Sequence, residues 1–218
     1  MSRLALRLLA TLAFSLLLVP AGASAQGGPA TRYLRQRHTD VDHIMERQAT
    51  TDAERTARDA EVTQILVSLL DFDELSHQAL AAHWDDLTPA QRTEFTSLLR
   101  QLVERNYRTN LERIRDYQVD YTREETIANG VVVHTEAHSR ASRREPPIAI
   151  DYTMHRVGSD WRVVDVVTDA ASLVHNYQQQ FHRIITRDGF DTLLTRMRDR
   201  LAREGGASGA TGGASAPH

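Results

Sequence analysis

The chain contains no cysteine. That absence removes disulfides, thiolate nucleophiles, iron–sulfur clusters, cysteine-based zinc sites and any lipid anchor attached through a cysteine. A domain of this length builds a core large enough to stand without disulfide staples. A strong charge of either sign is missing too. The formal net charge is −3, and acidic and basic residues are interleaved as on ordinary solvated helix faces. Nucleic-acid binding asks for a basic patch, so no nucleic acid is expected as a partner. The usual catalytic fingerprints are also absent: no G-x-S-x-G, no H-E-x-x-H, no P-loop and no Gly-rich dinucleotide turn.

What is present begins with a three-part export signal. Arg3 and Arg7 supply a positive start, Leu8 to Val19 an apolar run of twelve residues, and Ala23-Ser24-Ala25 a small-x-small cleavage site. Residues 1–25 are therefore expected to be a signal peptide, cut at about Ala25. The mature chain would carry a net charge of −5 once both arginines leave, and would work outside the cytoplasm. The alternative is an uncleaved N-terminal anchor. The run is short of the roughly 20 apolar residues a membrane span needs, and Pro20 and Gly22 break it just before the cleavage site. Residues 26–30 read as a linker and 204–218, rich in Gly, Ala and Ser, as a disordered tail. Residues 31–203 fit one domain without internal repeats.

The first half of that domain has helical periodicity. Leu34, Val41, Ile44 and Met45 mark one stripe, and Val62, Ile65, Leu66, Leu69 and Leu70 a second. The polar stretch from Ala49 to Ala60 between them fits a turn or an exposed helix. Asp71-Phe72-Asp73 offers capping chemistry for a short helix. Thr88-Pro89-Ala90-Gln91 combines a cap, a proline at the first helical position and a capping box. From there Phe95, Leu98, Leu99, Leu102, Val103, Tyr107, Leu111 and Ile114 repeat at helical spacing for about seven turns.

Near Asp116 the period changes to two. Tyr117, Val119 and Tyr121 begin one strand, Val131 to Ala137 a second, Ile148 to Met154 a third and Trp161 to Thr168 a fourth. Asn129-Gly130, Pro146-Pro147 and Gly158-Ser159-Asp160 provide the turns before them. A helix returns with Leu173, Val174, Tyr177, Phe181, Ile184 and Ile185, and Phe190 to Leu201 adds a last amphipathic turn or two. Helices, then four consecutive strands, then helices predict an α+β fold with a curved, mainly antiparallel four-stranded sheet. The long helix and the last helices are the expected cover for its apolar face.

Two clusters carry candidate chemistry. His134, Glu136 and His138 share one strand face, with Asp151 and His155 on the next strand. Positions i and i+4 of a strand lie roughly 13 Å apart, so the two histidines cannot share one ion without a bulge, and no metal site is expected. Asp165 is a carboxylate in an apolar strand. It suits either acid–base work or hydrogen bonding to a neighbouring loop or helix start, and the second reading is the expected one.

Three ordered segments resemble the MlaC family, the periplasmic phospholipid-binding component of the Mla lipid transport pathway, also known as toluene-tolerance proteins. The first is Leu70-Asp71-Phe72-Asp73-Glu74-Leu75, then Trp84, then Thr88-Pro89-Ala90-Gln91-Arg92 with Phe95. The second is Trp161-Arg162-Val163-Val164-Asp165-Val166. The third is Ala171-Ser172-Leu173-Val174-His175-Asn176-Tyr177-Gln178-Gln179-Gln180-Phe181. The resemblance spans about Leu34 to Leu201. Gln178 stands where the family usually has Arg, and Ala171 replaces a Gly.

The resemblance implies a nuclear-transport-factor-like cone with a deep apolar pocket for acyl tails. It implies phospholipid as cargo, no cofactor and no catalytic residue. Implied partners are an inner-membrane ABC transporter complex with a substrate-binding MlaD-like subunit and an outer-membrane MlaA-like lipoprotein, in the service of outer-membrane lipid asymmetry. The pocket is expected to be lined from the sheet by Tyr121, Val133, Ile150, Tyr152 and Met154. From the helices come Leu99, Leu102, Val103, Tyr107, Leu173, Tyr177 and Phe181. About half of these are expected to touch lipid, the rest to pack on one another. Two other readings stay open: a small cone-fold enzyme using Asp165 or a pocket Tyr, and a docking module using the polar sheet face.

Overall fold

The computed structural model of the protein describes residues 27–142 and 144–207. The expected signal segment and the chain beyond residue 207 lie outside the described residues. Helix formation starts at Pro29, inside the expected linker, because proline is well placed in a first helical turn. That helix, α1, covers Pro29–Glu46. The polar stretch after it divides into a turn and a helix, α2 (Asp52–Ser68), opened by a capping box in which Thr51 and Glu54 satisfy each other's backbone N–H groups. Asp71 caps α3 (Phe72–Leu80) by accepting from the Glu74 N–H at 3.0 Å. A single 3₁₀ turn, Ala81–His83, follows.

The capping box predicted before the long helix is formed. Thr88 N–H donates to the Gln91 amide oxygen at 3.0 Å, and Gln91 N–H to the Thr88 hydroxyl at 3.3 Å. Helix α4 then runs over Pro89–Arg115. Four full strands follow in a meander, β1 (Tyr117–Ile127), β2 (Gly130–Ser139), β3 (Ile148–Val157) and β4 (Asp160–Thr168). A fifth, β5 (Ala171–Ser172), is two residues long and pairs with the end of β4. The sheet therefore has five strands in the order β1-β2-β3-β4-β5, all antiparallel. Helices α5 (Leu173–Asp188) and α6 (Phe190–Ala207) complete the described chain. The last element is a full helix rather than a turn or two, and continues into the stretch expected to be tail.

Gly130 holds the first hairpin in shape. Its φ is +153°, and a Cβ there would stand 2.2 Å from the Met154 carbonyl oxygen. Two register shifts bend the sheet, one in β1 at Tyr121/Arg123 and one between β3 and β4 at Thr153/Met154. An extra residue on one strand kinks it and increases its twist, which turns a flat meander into a trough. Leu69, Leu70 and Asp71 run beside β4 as a parallel bridge. Val163 donates to the Leu69 carbonyl at 2.7 Å and accepts from Asp71 N–H at 3.0 Å. This segment covers part of the β4 edge that β5 leaves open.

The side chains gather into three cores. One lies among α3, α4, α5 and α6, around Phe95, Phe181, Leu80 and Leu193. A second holds α1 to the sheet, with Ala30 and Leu34 against Val131, Val133, Met154 and Val163. A third joins α1, α2 and α4 through Val41, Ile44, Met45, Val62 and Leu111. The cover of the sheet differs from expectation in part. Helix α5 packs on β4 as expected, but α1 lies over β1, β2 and β4, and α6 packs on α4 and α5. Helix α4 is held mainly by other helices, which leaves space between it and the concave sheet face.

Candidate functional site

That space is a cavity of about 830 Å³, near the upper end of the roughly 300–1,000 Å³ of ligand sites. Its wall comes from four places. The concave sheet face supplies Val119, Tyr121, Ala137, Ile148, Ile150, Tyr152, Val163 and Val166. Helix α1 supplies Arg35, His38 and Val41; the α2 end and the segment after it supply Leu66, Leu69 and Leu70; α4 supplies Tyr107. Thr39, Asp42, Gln118, Asp120 and Arg140 are exposed residues on the same boundary and form a rim of mixed charge. A second cavity of about 210 Å³ lies between α3, α4, α5 and β4, against Leu75, Ala79, Leu99, Val103, Leu173, Val174 and Tyr177.

Aromatic residues are sorted between packed core and cavity wall. Five of the six tyrosines (107, 117, 121, 152 and 177) border a cavity. Phe72, Phe95, Phe181 and Phe190 belong instead to the core among the helices. A phenol has an apolar ring and a polar tip, so it suits a wall that is oily in part and wet in part.

Burial acts strongly on the polar groups of the larger cavity. His38 is pushed down from its ordinary 6.5 to about 4 by burial, against a smaller opposing pull from Asp42, so near neutral pH it is an uncharged ring. The Tyr121 hydroxyl lies 2.6 Å from His38 Nδ1, within hydrogen-bond distance. The Arg35 guanidinium stands 4.7 Å from the Tyr121 ring centroid, a cation–π distance. Burial raises the phenols of Tyr121, Tyr152 and Tyr107 above their usual range. Each is raised further by a neighbour: Tyr121 by Tyr152, Tyr152 by Tyr107, and Tyr107 by Tyr177.

The twelve residues expected at the pocket fall into four groups. Tyr121, Ile150 and Tyr152 border the larger cavity; Leu99, Val103, Leu173 and Tyr177 border the smaller one; Tyr107 borders both. Val133 and Met154 are fully buried beneath α1, and Leu102 packs against the helical core. Phe181 is stacked on Tyr177 at 5.4 Å and edge-on to Phe95 at 5.5 Å. Val133 shares a strand face with the wall residue Ala137, but α1 closes over its end of the trough.

Missing from the expected set are the α1 residues Arg35, His38 and Asp42, and Leu69 and Leu70. The three α1 residues are spaced i, i+3 and i+7, which is one helix face. Their polarity hid them from a search for apolar positions.

Asp165 is occupied structurally. One carboxylate oxygen accepts from Val166 N–H at 2.8 Å and Val174 N–H at 3.1 Å, and the other from the Ser172 hydroxyl at 2.6 Å. It thereby ties β4 to the start of α5, where the helix offers unpaired N–H groups. On the outer sheet face His134 Nδ1 lies 2.8 Å from Asp151, while His138 lies within 4 Å of Asp120 and Glu136. Among the described residues no group of three or more His, Asp or Glu side chains converges as metal ligands would.

Fold and site together define an α+β cone, a bent antiparallel sheet closed by helices around an apolar chamber with a charged rim. The model of the MlaC protein family matches residues 35–199, and the chain belongs to that family. It is 19% identical over 141 residues to the intermembrane phospholipid transport system binding protein MlaC of Haemophilus influenzae, a match spanning 63% of this chain and 65% of that one. It also shares its fold, at a TM-score of 0.67 and 23% identity, with a phospholipid-binding protein of Ralstonia solanacearum solved in complex with a phospholipid. That similarity covers 82% of this chain and 99% of the other. No helix among the described residues is long and apolar enough to cross a membrane.

Proposed function

We propose that the protein is a periplasmic phospholipid carrier. It encloses acyl chains between α1, α4 and the sheet, leaves the head group at the rim, and performs no chemistry on its cargo. In this reading it shuttles lipid between an inner-membrane ABC transporter complex, through an MlaD-like subunit, and an outer-membrane MlaA-like lipoprotein. Membership of the MlaC family supports this, as does similarity to a phospholipid transport binding protein and to a phospholipid-binding protein.

The observation that carries it is the 830 Å³ chamber walled largely by aliphatic and aromatic side chains. Protein interiors otherwise pack as densely as organic crystals. A chamber of this size departs from that rule, and its exposed rim leaves it open to solvent. Water gains little from apolar walls, whereas each buried CH₂ of a fatty chain contributes about 0.8 kcal/mol. The hydrogen bonds that bind Asp165 into the α5 start favour this reading over an enzyme built on that carboxylate.

Native mass spectrometry of the isolated protein, followed by lipid extraction, tests the proposal. Phospholipid is expected at a fixed stoichiometry, and Ile150→Trp, which pushes a larger ring into the chamber, is expected to lower that load. A wild-type protein free of lipid when isolated, and unable to take it from vesicles, would refute the carrier reading.

A further inference from the structure

The two cavities are neighbours with a common partition. Leu70, Tyr107, Val163 and Val166 border both. Three of these are held by backbone pairing: Leu70 and Val163 form the parallel bridge, and Val166 lies opposite Tyr152 in the β3–β4 ladder. Tyr107 alone reaches the partition from a helix, on a long side chain with two rotatable bonds. It also ends the α4 face, Leu99, Val103 and Tyr107 at four-residue steps, that walls the smaller cavity. Tyr152 lines the larger cavity and Tyr177 the smaller, and Tyr107 lines both. Tyr107 therefore belongs to the wall between the chambers.

The smaller cavity, about 210 Å³, is below the usual range for an independent ligand site. Joined to the larger, it adds about a quarter to the volume, with Asn106 and Asp165 among its mainly apolar lining.

We propose that Tyr107 is a specificity-determining residue whose ring sets how far an acyl chain penetrates, and so which chain lengths the protein carries. This rests on the carrier reading. When the ring stands across the partition, a tail ends in the larger cavity. Were it smaller or turned aside, a longer tail would pass between Val163, Val166 and Leu70 toward Leu99 and Tyr177. Each added methylene buried there gains the usual transfer free energy, so the length preference follows the position of the ring.

The test is a competition. Stripped wild type, Tyr107→Leu and Tyr107→Trp are each incubated with vesicles holding an equimolar mixture of phosphatidylglycerols with short, medium and long saturated tails. The bound lipid is then identified by mass spectrometry. Tyr107→Leu is expected to raise the bound ratio of longest to shortest tails at least about fourfold, the worth of one buried methylene. Tyr107→Trp is expected to lower it. Leu173→Trp blocks the smaller cavity from its exposed side, where Leu173 is 44% accessible, and is expected to shift Tyr107→Leu back toward shorter tails. Val166→Ala widens the same partition from the sheet side and is used, with the same rise expected, if the Tyr107 variants do not fold. Length profiles that stay at the wild-type ratio in these variants, at equal lipid load, overturn the proposal. A wild type that binds no lipid overturns the carrier reading itself.

Discussion

His38 shows how a polar residue is made compatible with an oily wall. In water its ring titrates near 6.5, but in the folded chain burial holds it near 4, and its Nδ1 is hydrogen-bonded to the Tyr121 hydroxyl. The sign follows from proton counting. Between those values the unfolded chain binds a proton that the folded chain refuses, so stability is complete above pH 6.5 and falls as the pH drops toward 4. The groups around it are Asp42, Arg35, Tyr121 and Tyr152, and only Asp42 favours the charged ring. His38→Asn is expected to flatten the decline of the urea midpoint between pH 6.5 and 4. Equal slopes in the two proteins would contradict that assignment. Asp71 acts at lower pH. Its burial would raise it, but hydrogen bonds from the Glu74 N–H and His155 outweigh this and hold it below its usual value, so its contribution is lost only in stronger acid.

At the scale of elements, α1 decides which part of the sheet is core and which is chamber. Its first turn is pinned to β1, because Glu124 accepts from both the Thr31 N–H and the Thr31 hydroxyl at 2.7 Å. Gly28 leaves room for that carboxylate, since a Cβ there would stand 2.0 Å from a Glu124 oxygen. Glu124→Ala is expected to cost about 2 kcal/mol, the loss of a charge-assisted pair of hydrogen bonds. Faster amide exchange should then appear in the first two turns of α1 and not in α4. Unchanged exchange there would mean that Ala30 and Leu34 hold the helix unaided.

Several elements were legible in the chain for local reasons. Thr88-Pro89-Ala90-Gln91 predicts the start of α4 because capping is a contact between near neighbours. The change of period at Asp116 predicts β1 for the same kind of reason. The start of α2 is written as plainly in Thr51 and Glu54, but its polar face gave no stripe to follow. The two-residue β5 carries no periodicity, and a bulge leaves none. Both features are settled by how a strand pairs with its neighbour and not by its own spacing.

For the whole molecule, the chamber is a deficit of packing, which the proposed cargo would fill. Anything that binds the folded chain and not the unfolded one raises stability by mass action. At a hundredfold excess over the dissociation constant the gain is about 2.7 kcal/mol, or roughly 5–10 °C in melting temperature for a domain of this size. Protein stripped of lipid by detergent and returned to buffer is expected to melt lower by about that amount, and to recover on incubation with phosphatidylglycerol vesicles. Identical melting curves for stripped and reloaded protein would show that the space holds nothing that contributes to folding.

The amino-acid sequence by itself determined the order of elements, the face each one buries, and a motif set that resembles one family. These follow from spacing and capping, which act within a few residues. Only the tertiary structure decided that Val133 and Met154 are covered by α1 while Ile150 and Tyr152 border open space, although all four belong to apolar sheet faces. It also decided that Tyr107 stands between two cavities. Alternation assigns a side chain to a face, but whether that face meets a helix or a hollow depends on where distant segments dock.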